Sequence, residues 1–252
     1  IRNLRVERIG RGEVGAAPGD HADDLVIASY GLDQCLEHLR AAAASPVAGV
    51  PAVWQVGDGL AVAMIAAGPP GGHYADATAT LRTDGRYEIA VGTAEFGNGS
   101  TTVHAQIAAD ELGTTVDQID IRQSDTDVVR HDTGAFASTG VVVAGKAVLY
   151  AARGLRAKIL ELDHGDGVPP AEIAARAGGP VSAAGHWGGS PRSVAFNAQW
   201  FRVAVDPQTG EIRILRSVHS ADAGAVLNPL QCRGQIEGGV AQALGATLAE
   251  HL

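Results

Sequence analysis

Three segments of this sequence combine glycine with hydroxyl and carboxamide side chains, a composition suited to binding a polar ligand. The first is Gly97-Asn98-Gly99-Ser100-Thr101, which precedes a helical pattern ending near Gly113. A glycine-rich loop at a helix N-terminus presents unpaired N–H groups, and the helix dipole adds positive potential there. This arrangement favours an anionic or amide-rich ligand. The same residues also fit a plain turn in which Ser100 or Thr101 caps the helix.

The other two segments lie further along the chain. Residues 132–145, DTGAFASTGVVVAG, form a second small, hydroxyl-bearing loop whose N–H groups could line a site for an anionic cofactor. The third segment is a helix predicted from residue 229 to about residue 250. Each glycine inside a helix lowers helix stability by about 1 kcal/mol relative to alanine. The glycines of this helix therefore indicate that another group approaches it closely, either a planar heterocycle or a neighbouring helix or hairpin. One side of this helix carries Gln235 and Gln242, flanked by Gly238, Gly239 and Gly245.

Two β-hairpins are predicted to position these segments. Apolar and polar residues alternate on both sides of Asp84-Gly85, and again on both sides of residues 206–210 if one register change is allowed. Each hairpin is followed by a glycine-containing loop and a helix of small residues, at 100–112 and about 229–250. We therefore predict an α+β fold of duplicated hairpin-loop-helix units, with mixed or antiparallel sheets covered by helices.

The rest of the chain supplies one covering helix and one irregular region. Residues 66–74 are rich in proline and glycine and mark a candidate domain boundary. Residues 163–192 are predicted to be a long excursion with at most one short helix. A helix that begins near Gly145 should cover a sheet face, because its apolar residues form one stripe: Val148, Ala152, Leu155, Ile159 and Leu162.

Composition excludes several classes of function. The net charge of −9, with 19 Lys and Arg and no run of them, argues against nucleic acid as a partner. The sequence contains no stretch of 18 apolar residues, so no membrane span is predicted. Cys35 and Cys232 lie far apart, so they cannot by themselves build an iron–sulfur or zinc site, and they fit a reduced, cytoplasmic compartment. We predict no metal bound by side chains and assign core or surface roles to seven of the nine histidines: His73, His104, His131, His164, His186, His219 and His251.

Four stretches together resemble the molybdenum-cofactor-binding large subunit of the xanthine dehydrogenase and aldehyde oxidase family. They read GTAEFGNGSTTVHAQIAADELG, GAFASTGVVVAGKAV, VAVDPQTGEIRILRSVHSADAGAVLNP and RGQIEGGVAQALG. The resemblance covers about residues 25–252. It implies that residues 71–252 form the family's second molybdopterin-binding domain, truncated at its C-terminal end, and that residues 1–66 are the tail of the first such domain and a linker.

The resemblance also implies a cofactor and its contacts. The cofactor is a molybdopterin, in the cytosine dinucleotide form, with molybdenum held by the pterin dithiolene and not by side chains. The family's loop usually has Gln where this chain has Asn98, whose amide reaches about 1.5 Å less far. The positions matching the family's cofactor-binding residues are Phe96, Gly97, Asn98, Gly99, Ala137, Ser138, Thr139, Gly140 and Gln235.

The implied activity is that of an oxidoreductase that hydroxylates aldehydes or N-heterocycles, purines included, with oxygen from water. Electrons would leave through partner subunits or domains that carry 2Fe-2S clusters and FAD, which this chain does not bind. The family's general-base glutamate is expected beyond Leu252 and further residues before Ile1, so we predict no catalytic residue here and no turnover from this chain alone.

Two rival interpretations remain at this point. One is a non-catalytic α+β module that uses its glycine-rich surfaces for packing or subunit assembly. The other, a Rossmann dinucleotide-binding domain, is disfavoured because no glycine-rich fingerprint opens a βαβ unit.

Overall fold

The computed structural model describes residues 24–250 except 28–29, 48 and 70–72. Over these residues the chain forms five α-helices and eight β-strands. The helices are α1 Leu32–Ala43, α2 Ser100–Leu112, α3 Gly145–Asp163, α4 Pro170–Arg176 and α5 Pro229–Leu248. The strands are β1 Leu25–Val26, β2 Gln55–Ala66, β3 Ala75–Leu81, β4 Tyr87–Val91, β5 Ile119–Gln123, β6 Val181–Trp187, β7 Arg192–Val205 and β8 Ile212–Asp222.

The chain divides into two compact units. The larger unit contains Ala67–Arg192 and Leu227–Leu252, and the smaller unit contains Val26–Ala66 and Ser193–Val226. The smaller unit is thus built from two segments that are distant in sequence and are joined by the pairing of β2 with β7. The assignment of residues 1–66 and 71–252 to two domains of the family stays a prediction, and residues 1–23 lie outside the described part.

The larger unit contains a four-stranded sheet in the order β5-β4-β3-β6. Strand β3 pairs antiparallel with β4 and β6, and β4 pairs parallel with β5 after the crossover through α2. The turn between β3 and β4 holds Asp84-Gly85 with a left-handed glycine, as predicted for this hairpin. Alternate residues of β3 point into the core: Ala75, Ala77, Ala79 and Leu81.

Helix α3 covers the inner face of this sheet, as its apolar stripe predicted. Val148, Ala152 and Leu155 are buried. The helix approaches β6 so closely that a Cβ on Gly185 would overlap the backbone of Ala147 and Ala151. Only glycine fits this position.

The prediction of a long excursion over residues 163–192 was wrong in part. The short helix is present as α4, but residues 181–187 form strand β6, paired along its length with β3. The small residues that α3 requires here, such as Ala183 and Gly185, carry little intrinsic preference for a strand. The strand is therefore specified by its sheet and helix neighbours, and the local sequence does not reveal it.

The smaller unit contains an antiparallel sheet in which β7 is central and pairs with β2 and β8. The second predicted hairpin is confirmed, with Val205 opposite Ile212 and one register shift between Arg202 and Val203. Helix α1 packs against β8. Gly31, the residue before this helix, donates its N–H to the Asp222 carboxylate at 2.7 Å.

These elements confirm the predicted α+β class. Hairpin β3–β4 is followed by a loop and α2, and hairpin β7–β8 is followed by a loop and α5. Among the helices of the described part, none combines the length and apolar character needed to span a bilayer. The same residues contain no group of three or more His, Cys, Asp or Glu side chains placed to hold a metal ion.

Candidate functional site

The loop before α2 is stabilised by a carboxylate from its own chain. Helix α2 begins after Gly99, which has a left-handed backbone with φ of +78°, and neither Ser100 nor Thr101 caps it. Instead, the Glu95 carboxylate accepts the N–H groups of Gly97 at 2.6 Å and of Gly99 and Thr101 at 3.0 Å. The negative charge at this helix N-terminus is therefore supplied by Glu95.

This finding corrects the expected role of the loop's N–H groups. Because they already bind Glu95, they do not point outward to an anionic ligand. Partial burial works against the charged form of Glu95, but the N–H groups of Thr101, Gly99 and Gly97 outweigh it and lower the pKa of this carboxyl. What the loop exposes is the Phe96 ring, which is 71% accessible.

We expect the substitution Glu95→Gln to lower the free energy of unfolding by about 1 kcal/mol at neutral pH, the usual effect of losing a helix cap. Because the folded-state pKa of Glu95 is lowered, its contribution is present above the unfolded pKa of about 4.3 and is lost as pH falls through the folded pKa. Urea denaturation across this acid range measures the effect. Glu37→Gln, at an exposed position on α1, is the control and should change nothing; equal curves for Glu95→Gln and the parent protein would contradict this role.

The second predicted loop, Gly134–Gly140, has an unusual backbone. Ala137 and Ser138 have φ of +57° and +61°, a left-handed conformation that is strained for residues with a side chain. Strain of this kind persists only where surrounding contacts enforce it, and it is common at functional sites. One such contact is the hydrogen bond from the N–H of Gly68 to the carbonyl oxygen of Ala137, at 2.7 Å.

Two buried histidines hold the ends of this loop. Nε2 of His73 lies 2.8 Å from the carbonyl oxygen of Gly134, and Nε2 of His104 lies 2.8 Å from that of Gly140. Because carbonyl oxygens only accept, each Nε2 carries the proton. Burial lowers the pKa of His104, although its bond to Gly140 opposes the shift, so the ring is neutral. Both Nδ1 atoms are buried and have no hydrogen-bond partner in the described part of the chain.

Asp132 and Thr139 complete the internal bonding of the loop. The Asp132 carboxylate accepts the N–H of Gly134 at 2.7 Å, and burial raises the pKa of this carboxyl. The hydroxyl of Thr139 is directed at the carbonyl oxygens of Gly134 and Phe136, each 2.8 Å away. Thr139 therefore stabilises the loop with its hydroxyl, which is not free to donate to a ligand.

The three predicted segments meet in the larger unit. A Cβ placed on Gly140 would lie 4.0 Å from the Asn98 amide nitrogen, so the two loops are adjacent. A Cβ placed on Gly99 would lie 2.7 Å from the carboxamide of Gln231, in the first turn of α5. The carboxamide oxygen of Gln231 is buried and has no partner among the described residues. The residue of α5 that touches the loop is thus Gln231.

Helix α5 begins as predicted, with the Asn228 side chain accepting the N–H of Gln231 at 3.1 Å. Gln235 lies one turn after Gln231, on the same side of the helix, and is exposed. A Cβ placed on Gly238 or Gly239 would meet no atom of the described residues within 4 Å. Close packing within this part of the chain therefore does not explain these glycines.

Sequence reasoning missed four residues of this site: Glu95, His73, His104 and Gln231. His104 was assigned to the core or surface, yet it follows Ser100 by four residues on α2 and so faces the same side as the loop. Gln231 lies four residues before Gln235, a spacing that could have indicated it. Glu95 and His73 carried no comparable signal, because their partners are set by the path of the loops.

These contacts fit a large ligand with flat and polar parts. Asn98 and Gln231 offer carboxamide groups, the latter with an unused oxygen, and Phe96 and Phe136 expose apolar rings. Residues 33–252 match a family model described as a molybdopterin cofactor-binding domain. The chain belongs to this family.

Individual relatives of this cofactor-binding domain agree with the match. The chain is 32% identical over 229 residues to "6-hydroxypseudooxynicotine dehydrogenase complex subunit gamma" of Paenarthrobacter nicotinovorans, covering 78% of this chain and 28% of the relative. It is 30% identical over 226 residues to "Probable hypoxanthine oxidase XdhD" of Escherichia coli K12, covering 79% and 24%. The aldehyde oxidoreductase of Desulfovibrio gigas shares the fold, with a TM-score of 0.73 at 23% identity over 91% of this chain and 28% of that one.

The chain spans about a quarter of the length of the curated relatives it matches. It therefore corresponds to one portion of proteins of that size.

Proposed function

We propose that this chain forms part of the cofactor bed of a molybdenum hydroxylase that oxidises aldehydes, purines or other N-heterocycles with oxygen from water. The observation that carries the proposal is the meeting of three segments distant in sequence, where Gly140 adjoins Asn98 and Gly99 adjoins Gln231. Membership of the molybdopterin cofactor-binding family supports the identity of the ligand. When bound, the cofactor supplies the oxidation–reduction chemistry, while the residues described above hold it.

Each loop has a distinct part in this proposal. The amide nitrogen of Asn98 is available as a donor because its oxygen accepts the N–H of Ser100. Phe96, Gly97 and Gly99 place this amide beside Gly140. Ala137 and Ser138 present backbone groups in a conformation fixed by the two buried histidines. Gln235, exposed one turn after Gln231, is positioned to donate to or accept from a heterocycle edge.

The nucleotide attached to the cofactor and the identity of the partner subunits are also proposals. We propose the cytosine dinucleotide form, and electron transfer to partner subunits or domains that carry 2Fe-2S clusters and FAD. Relatives named as a complex subunit and as a carbon monoxide dehydrogenase large chain support an assembled enzyme. Cys35 and Cys232 are free thiols, which supports a reducing cytoplasmic compartment.

The test is metal and pterin analysis of the complete gene product made in a host that synthesises the cofactor. We expect near-stoichiometric molybdenum and pterin, with cytidine monophosphate released by acid hydrolysis. A well-folded product without molybdenum and pterin would overturn the proposal. Release of another nucleotide, or of none, would overturn the dinucleotide form alone.

A second candidate function is assembly through the open face of α5. It is favoured by Gly234, Gly238 and Gly239, which have free space around them in the described structure. A folded product without cofactor that still forms a complex with other subunits would support this non-catalytic alternative.

A further inference from the structure

The sheet of the larger unit has a second face, opposite to the one that α3 covers. Asp76 and His186 are cross-strand partners on this face, as are Thr78 and Ala184, while the alternate residues of β3 point into the core. The floor formed by Thr78 and Ala184 is small and low. A segment that packs beside this floor can therefore leave a cavity between itself and the two strands.

Residues 128–133 form the wall of this space and are fixed to β3. The N–H of Asp76 donates to the carbonyl oxygen of His131 at 2.8 Å, and the N–H of Thr133 donates to that of Tyr74 at 3.0 Å. Two adjoining cavities result, of about 340 Å³ and 320 Å³. Volumes of this size suit a small organic molecule. We call them together the outer groove; its lining includes Tyr74, Asp76, Thr78, Val128, Arg130 and His186.

One end of the outer groove carries an unneutralised positive charge. Arg130 is exposed and has no hydrogen-bond or ion-pair partner among residues 24–250 as described. Two carboxylates near this end have other partners, since Asp76 accepts Nδ1 of His186 at 2.7 Å and Asp125 pairs with Arg122 at 2.6 Å. A guanidinium in this situation is suited to bind a carboxylate through two parallel N–H bonds.

Aromatic rings and apolar side chains line much of the rest of the outer groove, together with Asp76 and Thr78. The Tyr74 ring stacks on His131 with centroids 4.0 Å apart and planes 18° apart, and it lies 5.6 Å from the His186 ring. The hydrogen bond that Nδ1 of His186 donates to the Asp76 carboxylate fixes the orientation of the His186 ring. Val128 also lines this groove. A planar ring is the shape that this combination accommodates.

We propose that the outer groove is a second ligand site, separate from the cofactor bed, for a small aromatic carboxylate. Arg130 binds the carboxylate, and the ring lies over Thr78 and Ala184 beside Tyr74 and His186. The proposal does not depend on the cofactor, because no residue lining the outer groove belongs to the 96–99 loop, the 137–140 loop or α5.

Calorimetric titration of the purified protein with benzoate tests the proposal, with benzamide as an uncharged probe of the same shape. We expect saturable benzoate binding, with benzamide weaker by about tenfold or more, because a charge-assisted bond to Arg130 is lost. Arg130→Met should weaken benzoate by a similar factor and leave benzamide unchanged. Ala184→Leu, at an exposed strand position, should abolish binding of both.

The matched control is Arg40→Met, which removes one exposed arginine from α1. It should leave both affinities unchanged. The proposal is overturned if benzoate shows no saturable binding, if benzamide binds equally well, or if the Arg40 and Arg130 variants lose the same affinity. It is also overturned if inorganic phosphate binds as tightly as benzoate and Ala184→Leu leaves that binding intact, since the groove would then recognise charge without a ring.

Discussion

Replacing Gly99 with alanine should remove most of the bound molybdenum cofactor and destabilise the protein by about 2–3 kcal/mol. Two effects combine. Alanine is strained at a φ of +78°, and its Cβ would lie 2.7 Å from the carboxamide of Gln231, which must move. The carboxamide of Gln231 would then shift away from the 96–99 loop, which loses a contact between two of the three segments that we assign to the cofactor bed. Denaturation and molybdenum content measured on the same preparation test both effects.

Gly97 provides a matched control for this prediction. It also has a positive φ, of +96°, but a Cβ there would meet no described atom within 4 Å. Gly97→Ala should therefore lose stability from backbone strain but keep the contact between Gly99 and Gln231. The double variant Gly99→Ala, Gln231→Ala should recover part of the lost stability relative to Gly99→Ala, because the overlap is gone. Equal losses in the two glycine variants would show that the Gln231 contact does not matter.

His104→Leu is expected to have the second largest effect, a loss of about 2–3 kcal/mol. The carbonyl oxygen of Gly140 would keep the N–H of Gly145 as its donor but lose that of His104, and the left-handed residues Ala137 and Ser138 would lose one of their restraints. Faster amide hydrogen exchange in residues 137–140 should accompany the loss. A leucine variant with unchanged exchange in this loop would contradict the role we give to His104.

The lowered pKa of His104 also predicts how the stability of the protein changes with pH. Because burial lowers the folded-state pKa of His104, the stabilisation from its neutral ring is present above the unfolded pKa of about 6.5 and is lost as pH falls toward the folded pKa. Comparing stability at about pH 7.5 and about pH 5.5 should show a smaller decline for His104→Leu than for the parent protein. Gln34→Leu, at an exposed position on α1 without a titratable side chain, should leave the parent's decline unchanged.

Regular elements with a clear period could be predicted from the sequence. Both hairpins, helix α2 up to the left-handed Gly113, the buried stripe of α3 and the Asn228 cap of α5 are found where their patterns indicated. These features depend on residues close together in the chain. Strand β6 was missed because its glycine and alanines are required by the packing of α3, which no local pattern records.

The two loops that we propose for the cofactor bed were singled out from the sequence, but their internal hydrogen bonds were not predicted. The N–H groups expected to meet an anion bind Glu95, and the helix residue that reaches the loop is Gln231, one turn before the predicted Gln235. Buried His104 was treated as an ordinary core residue. In each case the partner is distant along the chain or depends on a left-handed loop, so it follows from tertiary structure alone.

The most direct test of the central claim is a crystal structure of the cofactor-loaded protein, with anomalous data collected at the molybdenum absorption edge. The account predicts pterin density in contact with the 96–99 loop, the 137–140 loop and the Gln235 side of α5, with the molybdenum peak at the same ligand. A molybdenum peak and pterin density that touch none of these three segments would contradict it.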